Sequence, residues 1–389
     1  MEADNVYEGR EHSRIKHELL KGYLETLLSI VGVSGVKEFT YVDCFAGPWG
    51  DESDSLAGTS IAISLEILAK VRETLLYVHK IQGTQFQAIY VEESKKRHKR
   101  LSEYLTKSCP DGITCHALHG DYSGLQDEIL RLCGDRGFAF FFVDPMGWTD
   151  VGIPKLRKLL QRPKSEFLVT FMYDFLNRAI GMVELRKQVS KMLGEMNEAD
   201  CRQISSLPPK EREDVIVHMY REQLKAAMGP EGVFQPRSYH AIVKDPKKER
   251  TKYHLVYVTR HYKGIVKFAE QSERASFYQH MVRIRAKQNI TGQAALFPPE
   301  EEARQLDGAR VDLDDVKHFW MASLTDQPVR FDEARLARML EDTGWLIGDF
   351  QLAFGELLFE KKVENMDAKG KRSKHPVHFD ESERLRRCV

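Results

Sequence analysis

The chain has 389 residues, of which 42% are hydrophobic and 30% are charged, and its 58 Lys and Arg residues balance 58 Asp and Glu residues. This length predicts two or three domains, and the composition excludes a disordered chain. The balanced charge excludes a polycation, so any contact with nucleic acid must come from local basic patches.

Neither a membrane span nor a secretory signal is expected. No apolar run reaches the roughly 18 residues that a spanning helix needs, and the start MEADNVYEGREH is polar and acidic. The six cysteines include no CxxC pair and no Cys/His spacing that would hold zinc. We therefore expect no metal site, unpaired thiols and a cytoplasmic location.

The first half of the chain alternates predicted helices with predicted strands. Helical spacing of apolar residues predicts helices at 12–31, 59–69, 94–105, 125–132 and 154–160. Runs rich in aromatic and β-branched residues predict strands at 38–45, 86–91, 113–118, 138–143 and 167–172. The fourth run, FAFFFV, does not alternate, as expected of a central strand buried on both faces. This alternation predicts a doubly wound α/β fold with a parallel sheet.

The second half contains further strands and a small terminal domain. Residues 181–235 are predicted to be a helical insertion, and 239–243 and 254–259 to be an antiparallel pair. Helices at 312–324, 330–343 and 347–360, a basic loop at 366–374 and a β-like run at 375–379 predict a winged-helix-like domain. Its predicted core is Trp320, Leu336, Leu340, Trp345, Leu352 and Leu357. The predicted organisation is an N-terminal helix at 1–34, the α/β domain at 35–288, a linker at 289–309 and the small domain at 310–389.

Three acidic residues are predicted at the carboxyl ends of the first three strands. Asp43 precedes the turn FAGPWG, where Gly47 allows a ligand to approach the backbone closely. Glu92 ends the second strand, where a carboxylate in a doubly wound nucleotide site binds ribose hydroxyls. Asp121, in HGDYS, follows the third strand. Each residue also has a purely structural alternative. Gly47 could serve only to allow a tight turn, Glu92 could be part of a solvated helix start, and Asp121 could be a helix N-cap.

The segment DPMGW at 144–148 follows the buried fourth strand. The carboxylate of Asp144 and the carbonyl of Pro145 can accept hydrogen bonds from an exocyclic amine, and Trp148 can stack on a base. Such chemistry depends on alignment more than on a strong base. The alternative is a strand-ending turn in which Trp148 only packs. Together with the other motifs, the pattern favours a site for an amine.

Two further segments are candidate substrate contacts. In YDFLNR, Asn177 and Arg178 follow the fifth strand and either contact substrate or pair locally. The basic loop of the tail either contacts phosphates or is a solvated surface. Its four candidate residues are Lys369, Lys371, Arg372 and Lys374.

Several motifs together resemble the three-Cys-motif partner protein (TcmP) family. They are YVDCFAGPWG at 41–50, YVEES at 90–94, HGDYS at 119–123, FFVDPMGW at 141–148 and MYDFLNR at 172–178. The resemblance covers about residues 10–270, and the tail is similar to the winged helix of such proteins. It implies a Rossmann-like class I methyltransferase sheet that binds S-adenosyl-L-methionine (SAM), and a genomic partner with a three-cysteine motif.

The chain also has a more distant likeness to adenine-N6 methyltransferases of ribosomal RNA and DNA. Phe45 and Gly47 fall on their FxGxG-like motif, although Trp49 stands where a glycine is usual. Asp144 and Pro145 match their DPPY-like motif. The next two residues, MG, replace the usual Pro-aromatic pair, and a tryptophan comes one residue later than expected.

These resemblances predict a SAM-dependent N-methyltransferase that acts on a nucleic-acid base, RNA or DNA. The predicted cofactor-binding residues are Asp43, Phe45, Gly47, Glu92 and Asp121, and the predicted catalytic residues are Asp144, Pro145 and Trp148. One alternative is methylation of a protein or a small molecule. Another is a degenerate methyltransferase fold that serves as a scaffold and docks a partner.

Overall fold

The protein consists of two compact units, Met1–His261 and Tyr262–Val389. The computed structural model describes residues 11–47, 56, 58–245, 248–291, 311–370, 372 and 374–388. The linker was predicted at 289–309, of which 292–309 lie outside the described residues. The division instead falls before the helix Tyr262–Thr291, because this helix packs on other helices of the second unit.

The first unit is built on a seven-stranded sheet with the order β3-β2-β1-β4-β5-β7-β6. Strands β1 to β5 are parallel, whereas β7 runs antiparallel to both β5 and β6. The strands are β1 (Glu38–Asp43), β2 (Gln85–Glu92), β3 (Ile113–His119), β4 (Phe138–Val143), β5 (Ser165–Phe171), β6 (Arg237–Lys244) and β7 (Thr251–Thr259). The predicted α/β fold with a largely parallel sheet is confirmed.

Helices cover both faces of this sheet, as a parallel sheet requires. In the described part of the unit they are α1 (Glu11–Val33), α2 (Ser60–Glu73), α3 (Lys95–Ser108), α4 (Gln126–Cys133), α5 (Ile153–Leu160), α6 (Tyr173–Ala179), α7 (Arg186–Leu193), α8 (Glu198–Ser206) and α9 (Pro209–Met228). Helices α4 to α9 share one hydrophobic cluster with one face of the sheet. None of the helices within the described residues combines the length and apolar character needed to cross a membrane.

Helix α1 packs on the opposite face of the sheet. The ring of Tyr23 lies 6.0 Å from that of Phe140 and 4.9 Å from that of Tyr257. Its hydroxyl donates to the carboxylate of Glu166 at 2.8 Å. The predicted N-terminal helix is therefore part of the α/β unit, and its first turns lie close to the carboxyl edge of the sheet, where Lys16 contacts Asp144.

The second unit contains four helices and a small antiparallel sheet in its described part. They are α10 (Tyr262–Thr291), α11 (Leu313–Ser323), β8 (Val329–Phe331), α12 (Glu333–Thr343), α13 (Ile347–Phe359), β9 (Val363–Asn365) and β10 (Glu383–Arg387). The sheet has the order β8-β10-β9. Three helices were predicted correctly, but the strand predicted at 375–379 is wrong. The third strand forms instead at 383–387, where Leu385 is fully buried and pairs with Val329 and Asn365.

The core of the second unit differs from the predicted one at two positions. Trp320, Leu336, Leu340 and Leu357 are at most 2% exposed, as predicted. Leu352, however, is 48% exposed. Trp345 is only partly buried. The helical spacing of α13 therefore places Leu357 inward and Leu352 outward.

The prediction of six unpaired cysteines is wrong. Cys109 and Cys115 form a disulfide with a Cα–Cα distance of 6.3 Å. They flank the turn between α3 and β3, which brings residues six apart within the reach of a disulfide. The other four cysteines are free. Because two of the six cysteines form a disulfide, the cysteines no longer indicate a reducing compartment.

Candidate functional site

Three predicted site residues lie at the carboxyl edge of three adjacent strands. Asp43 and Glu92 are the last residues of β1 and β2, and Asp144 directly follows β4. Because β1 pairs in parallel with both β2 and β4, these ends meet at one edge. Ligands of doubly wound sheets bind in the crevice outside this edge.

Asp43 stabilises the turn after β1. Its carboxylate accepts hydrogen bonds from the amide of Phe45 at 3.1 Å and from the hydroxyl of Ser60 at 2.6 Å. The side chain is fully buried, and this burial raises its pKa to about 6, although the two hydrogen bonds oppose the shift. With one hydrogen bond to each oxygen, Asp43 positions the backbone of the turn.

Gly47 lies against the carboxylate of Glu92. A Cβ on Gly47 would stand 2.0 Å from Oε2 of Glu92, which no side chain can tolerate without displacing the carboxylate. Glu92 is 4% exposed. Its Oε1 accepts from the amide of Ser94 at 2.6 Å and lies 3.0 Å from Nε of Arg97. Within the described residues, these contacts fix the carboxylate and leave Oε2 as the available acceptor. Pro48 and Trp49 lie outside those residues.

Phe45 and the segment after β3 form the next part of the edge. The ring of Phe45 lies 4.9 Å from the buried ring of Tyr122, whose hydroxyl donates to the carbonyl of Asp150 at 2.5 Å. Asp121 is exposed, and its carboxylate accepts from the hydroxyl of Ser123. Its carbonyl accepts from the amide of Leu125 at 3.2 Å. Asp121 thus stabilises the turn before α4 while remaining open to solvent.

Asp144 forms an ion pair with Lys16 of α1. The side chains of Asp144 and Lys16 are 20% and 12% exposed. On the same side lies Tyr253 of β7, whose pKa is raised by burial and further by the charge of Asp144. Pro145 is buried, and Trp148 packs against the hydrophobic cluster of the unit. Trp148 therefore supports the wall of the site and is partly buried there.

The two predicted substrate residues of α6 have different environments. Asn177 is partly buried, and its Oδ1 is a buried acceptor without a hydrogen-bond partner in the described part of the chain. Arg178 is exposed and pairs with Asp174 at 3.5 Å, with its guanidinium over the ring of Phe175. Asn177 thus offers an unused acceptor near the end of β5, whereas Arg178 is held locally.

The basic loop of the second unit is only partly free. Lys369 and Lys374 are exposed, but Arg372 pairs at 2.5 Å with Glu383, which is 1% exposed. Lys371 lies outside the described residues. Arg372 therefore stabilises the loop, which reduces the number of cations available to a phosphate backbone.

Glu383 also belongs to the group of possible metal ligands found among the described residues, with His378 and Glu381. Its Oε2 accepts from the side-chain amide of Asn365 and from the backbone amide of His378, each at 2.7 Å. Its Oε1 is paired with Arg372. Glu383 and Arg372 therefore form a hydrogen-bonded ion pair that fixes the loop before β10.

The edge of the first unit thus offers acceptors at two separate places. Glu92 and Asp144 belong to strands separated by one strand, so about 10 Å lies between them. The first can accept from hydroxyl groups and the second from an amine. The sequence motifs identified both carboxylates. They gave no sign of Lys16, which lies 128 residues from Asp144 in the chain.

Comparisons with known proteins give little further information. No family model matches the chain. No curated protein matches it. Among solved structures it is similar to the structure of PKMT2 from Rickettsia typhi, with a TM-score of 0.29 and 9% identity. The similarity covers 64% of this chain, and the chain spans only 56% of that one. At this TM-score the similarity carries no argument about function.

Proposed function

We propose that the first unit is a SAM-dependent N-methyltransferase whose target amine is held by Asp144. The observation that carries the proposal is the pair of buried or half-buried carboxylates at the ends of β2 and β4, with Gly47 against Glu92. The strand order, with a reversed β7 inserted beside β5, suits the methyltransferase sheet implied by the sequence resemblance. Membership of the three-Cys-motif partner family is part of this proposal and rests on the motifs alone.

The residues present fit SAM at its ribose end. Oε2 of Glu92 is a fixed acceptor with no other partner in the described residues, and it lies directly against Gly47, where a side chain would displace it. Asp43 would shape the turn, while Phe45 and Asp121 would lie toward the base. When bound, SAM supplies a methyl group attached to a sulfonium ion.

Asp144 would orient the amine that receives this group. Its carboxylate can accept a hydrogen bond from the amine, and the carbonyl of Pro145 can accept a second one. Two acceptors fix the direction of the nitrogen lone pair, and alignment of this kind accounts for much of the rate of a transfer. Asn177 adds an unused acceptor at the neighbouring strand end. These groups suit an exocyclic amine of a nucleic-acid base.

Titration calorimetry with SAM tests the cofactor site. Replacing Glu92 with Gln or Ala should weaken binding by about 1–3 kcal/mol, because a hydrogen bond to a charged acceptor is lost. Glu93→Gln is the matched control, since Glu93 is exposed and adjacent. Equal affinity for wild type and both Glu92 variants would remove Glu92 from the site.

Asp144→Ala should leave SAM affinity nearly unchanged and lower turnover strongly, since it removes the alignment of the amine. Turnover would be followed with labelled SAM on pools of RNA, DNA and protein. A loss of SAM affinity as large as the loss of turnover would place Asp144 in the cofactor site instead.

One observation favours a second candidate, methylation of a protein lysine. The contact between Lys16 and Asp144 brings the amine of a lysine to the proposed acceptor. Label that appears in the protein pool and not in RNA or DNA would select this alternative. Tight SAM binding without label in any pool would favour a scaffold.

The second unit is proposed to be a winged helix used for docking a protein. Its order of helices and strands, with an antiparallel three-stranded sheet, suits that fold. Helix α13 would be the recognition helix, but its sequence IGDFQLAFGELLF contains no Lys or Arg. It exposes Leu352 and Phe359 beside a groove of about 980 Å³. A face of this kind is unsuited to phosphates and favours a protein partner, such as the three-cysteine protein implied by the resemblance.

A further inference from the structure

Helix α3 carries a concentration of positive charge that the proposed site does not use. It begins with KKRHKR, and its 14 residues contain six Lys and Arg but one Glu. In a chain with equal numbers of basic and acidic residues, this is a local departure from neutrality. The charge is positioned directly after Glu92, at the carboxyl edge of the sheet.

The cations of α3 differ in how far they are already paired. Arg97 lies 3.0 Å from the carboxylate of Glu92 and supports the proposed cofactor site. Lys99 reaches Glu103 only at 3.9 Å, and both side chains are more than half exposed. Such exposed pairs contribute little. Lys95 and Lys96 are exposed and form no ion pair within the described residues. The positive charge on this face is therefore largely uncompensated.

Packing does not explain this charge. Helix α3 is held to the sheet by Leu101 and Leu105, which are buried, and by the ring of His98 at 3.2 Å from the carbonyl of Ala117. Cations near a helix N-terminus oppose the helix dipole, and like charges on adjacent turns repel. The first turn has no acidic residue to offset them. A face that is only solvated can carry charges of both signs, whereas this one is basic except for Glu103, at a cost in stability.

We propose that the face of α3 formed by Lys95, Lys96 and Lys99 binds the phosphate backbone of the nucleic acid whose base is presented to Asp144. The inference rests on the proposed function. About 10 Å, two strand spacings, separates the ends of β2 and β4, so a strand lying on α3 can bring a base to Asp144. The main backbone contact is thereby assigned to the first unit and not to the basic loop that contains Arg372.

Fluorescence anisotropy with the full chain tests the proposal, using labelled single-stranded RNA and DNA of about 20 nucleotides at roughly 50 and 200 mM salt. The variant K95A/K96A/K99A should bind at least about tenfold more weakly at low salt. Its plot of log affinity against log salt should be flatter by about two to three units, because each lost phosphate contact removes about 0.7–0.9. The control R136A/K187A/K210A removes three exposed cations elsewhere in the unit and should bind like wild type.

Three results would overturn the proposal. They are a triple variant that binds with wild-type affinity and slope, a wild-type chain without oligonucleotide binding at low salt, and tighter binding to poly-glutamate than to either oligonucleotide. SAM titrations on the same samples separate the two proposals. Oligonucleotide binding through α3 without SAM binding would support the basic face and contradict the methyltransferase. Circular dichroism melts of both triple variants, compared with wild type, check that they are folded.

Discussion

At the scale of single residues, Asp43 links the turn after β1 to the pH dependence of stability. Burial raises the pKa of this carboxyl from its ordinary 3.8 to about 6, and the nearby charge of Asp144 adds to the shift. The folded chain therefore holds this proton over a range in which the unfolded chain has lost it. Between about pH 4 and 6 the contribution of Asp43 to stability falls as the pH rises. Above pH 6 the folded state contains a buried carboxylate.

Asp43→Asn should remove this contribution and keep the turn. An amide oxygen can still accept from the amide of Phe45, and the amide nitrogen can donate to the hydroxyl of Ser60. We compare the variant with wild type by the difference in their free energies of unfolding at each pH. From pH 4.5 to pH 7 this difference should shift in favour of the variant by roughly 1–3 kcal/mol. Urea melts at the two pH values measure this difference. An equal difference at both values would mean that Asp43 titrates normally.

At the scale of elements, local patterns identified the strands of the large sheet but not the longest helix. The seven strands follow runs of β-prone residues, and β4 was predicted at its observed bounds, 138–143. Helix α10 was missed, because its 30 residues mix apolar and charged positions and gain their order from packing on α12 and α13. The strands β8 and β9 have three residues each, too few for a period to be visible.

The same limit applies to the site. The position of Glu92 and Asp144 at strand ends could be predicted, because an acidic residue after a β-rich run is visible in the sequence. Lys16 and the disulfide could not, since each depends on the approach of segments in the folded chain. The free oxygen of Glu92 also depends on how Ser94 and Arg97 hold the other one. Chain order gives the residue types of a site, whereas packing decides which of their atoms remain available.

Helix α13 offers a direct test of the corrected core. Leu357 is 1% exposed and Leu352 is 48% exposed, although both were predicted to be buried. Leu357→Ala should destabilise the second unit by about 2–5 kcal/mol, because it leaves a cavity. Leu352→Ala should change stability by no more than about 0.5 kcal/mol. Denaturant melts followed by tryptophan fluorescence compare the two variants, and equal losses would contradict the observed orientation of the helix.

At the scale of the whole molecule, equal numbers of positive and negative charges mean that recognition depends on where charges are concentrated. Helix α3 of the first unit is strongly basic, whereas α13 of the second has no basic residue. The two units therefore suit partners of different chemistry. The partners proposed above, a nucleic acid for the first and an apolar protein surface for the second, follow this difference. This division also explains why the tail loop, with Arg372 used internally, is a poor candidate for the main phosphate contact.

Hydrogen exchange followed by mass spectrometry can assign SAM to one unit within the intact chain. A ligand that binds only the native state slows exchange of the backbone it stabilises. We expect slower exchange on adding SAM in peptides covering residues 43–47 and 92–97, which hold Gly47 and Glu92. Peptides covering 347–359 should exchange at the same rate with and without SAM. The effect should be absent in Glu92→Ala at a SAM concentration that saturates wild type. Slowing confined to the second unit would place the cofactor elsewhere and contradict the proposed site.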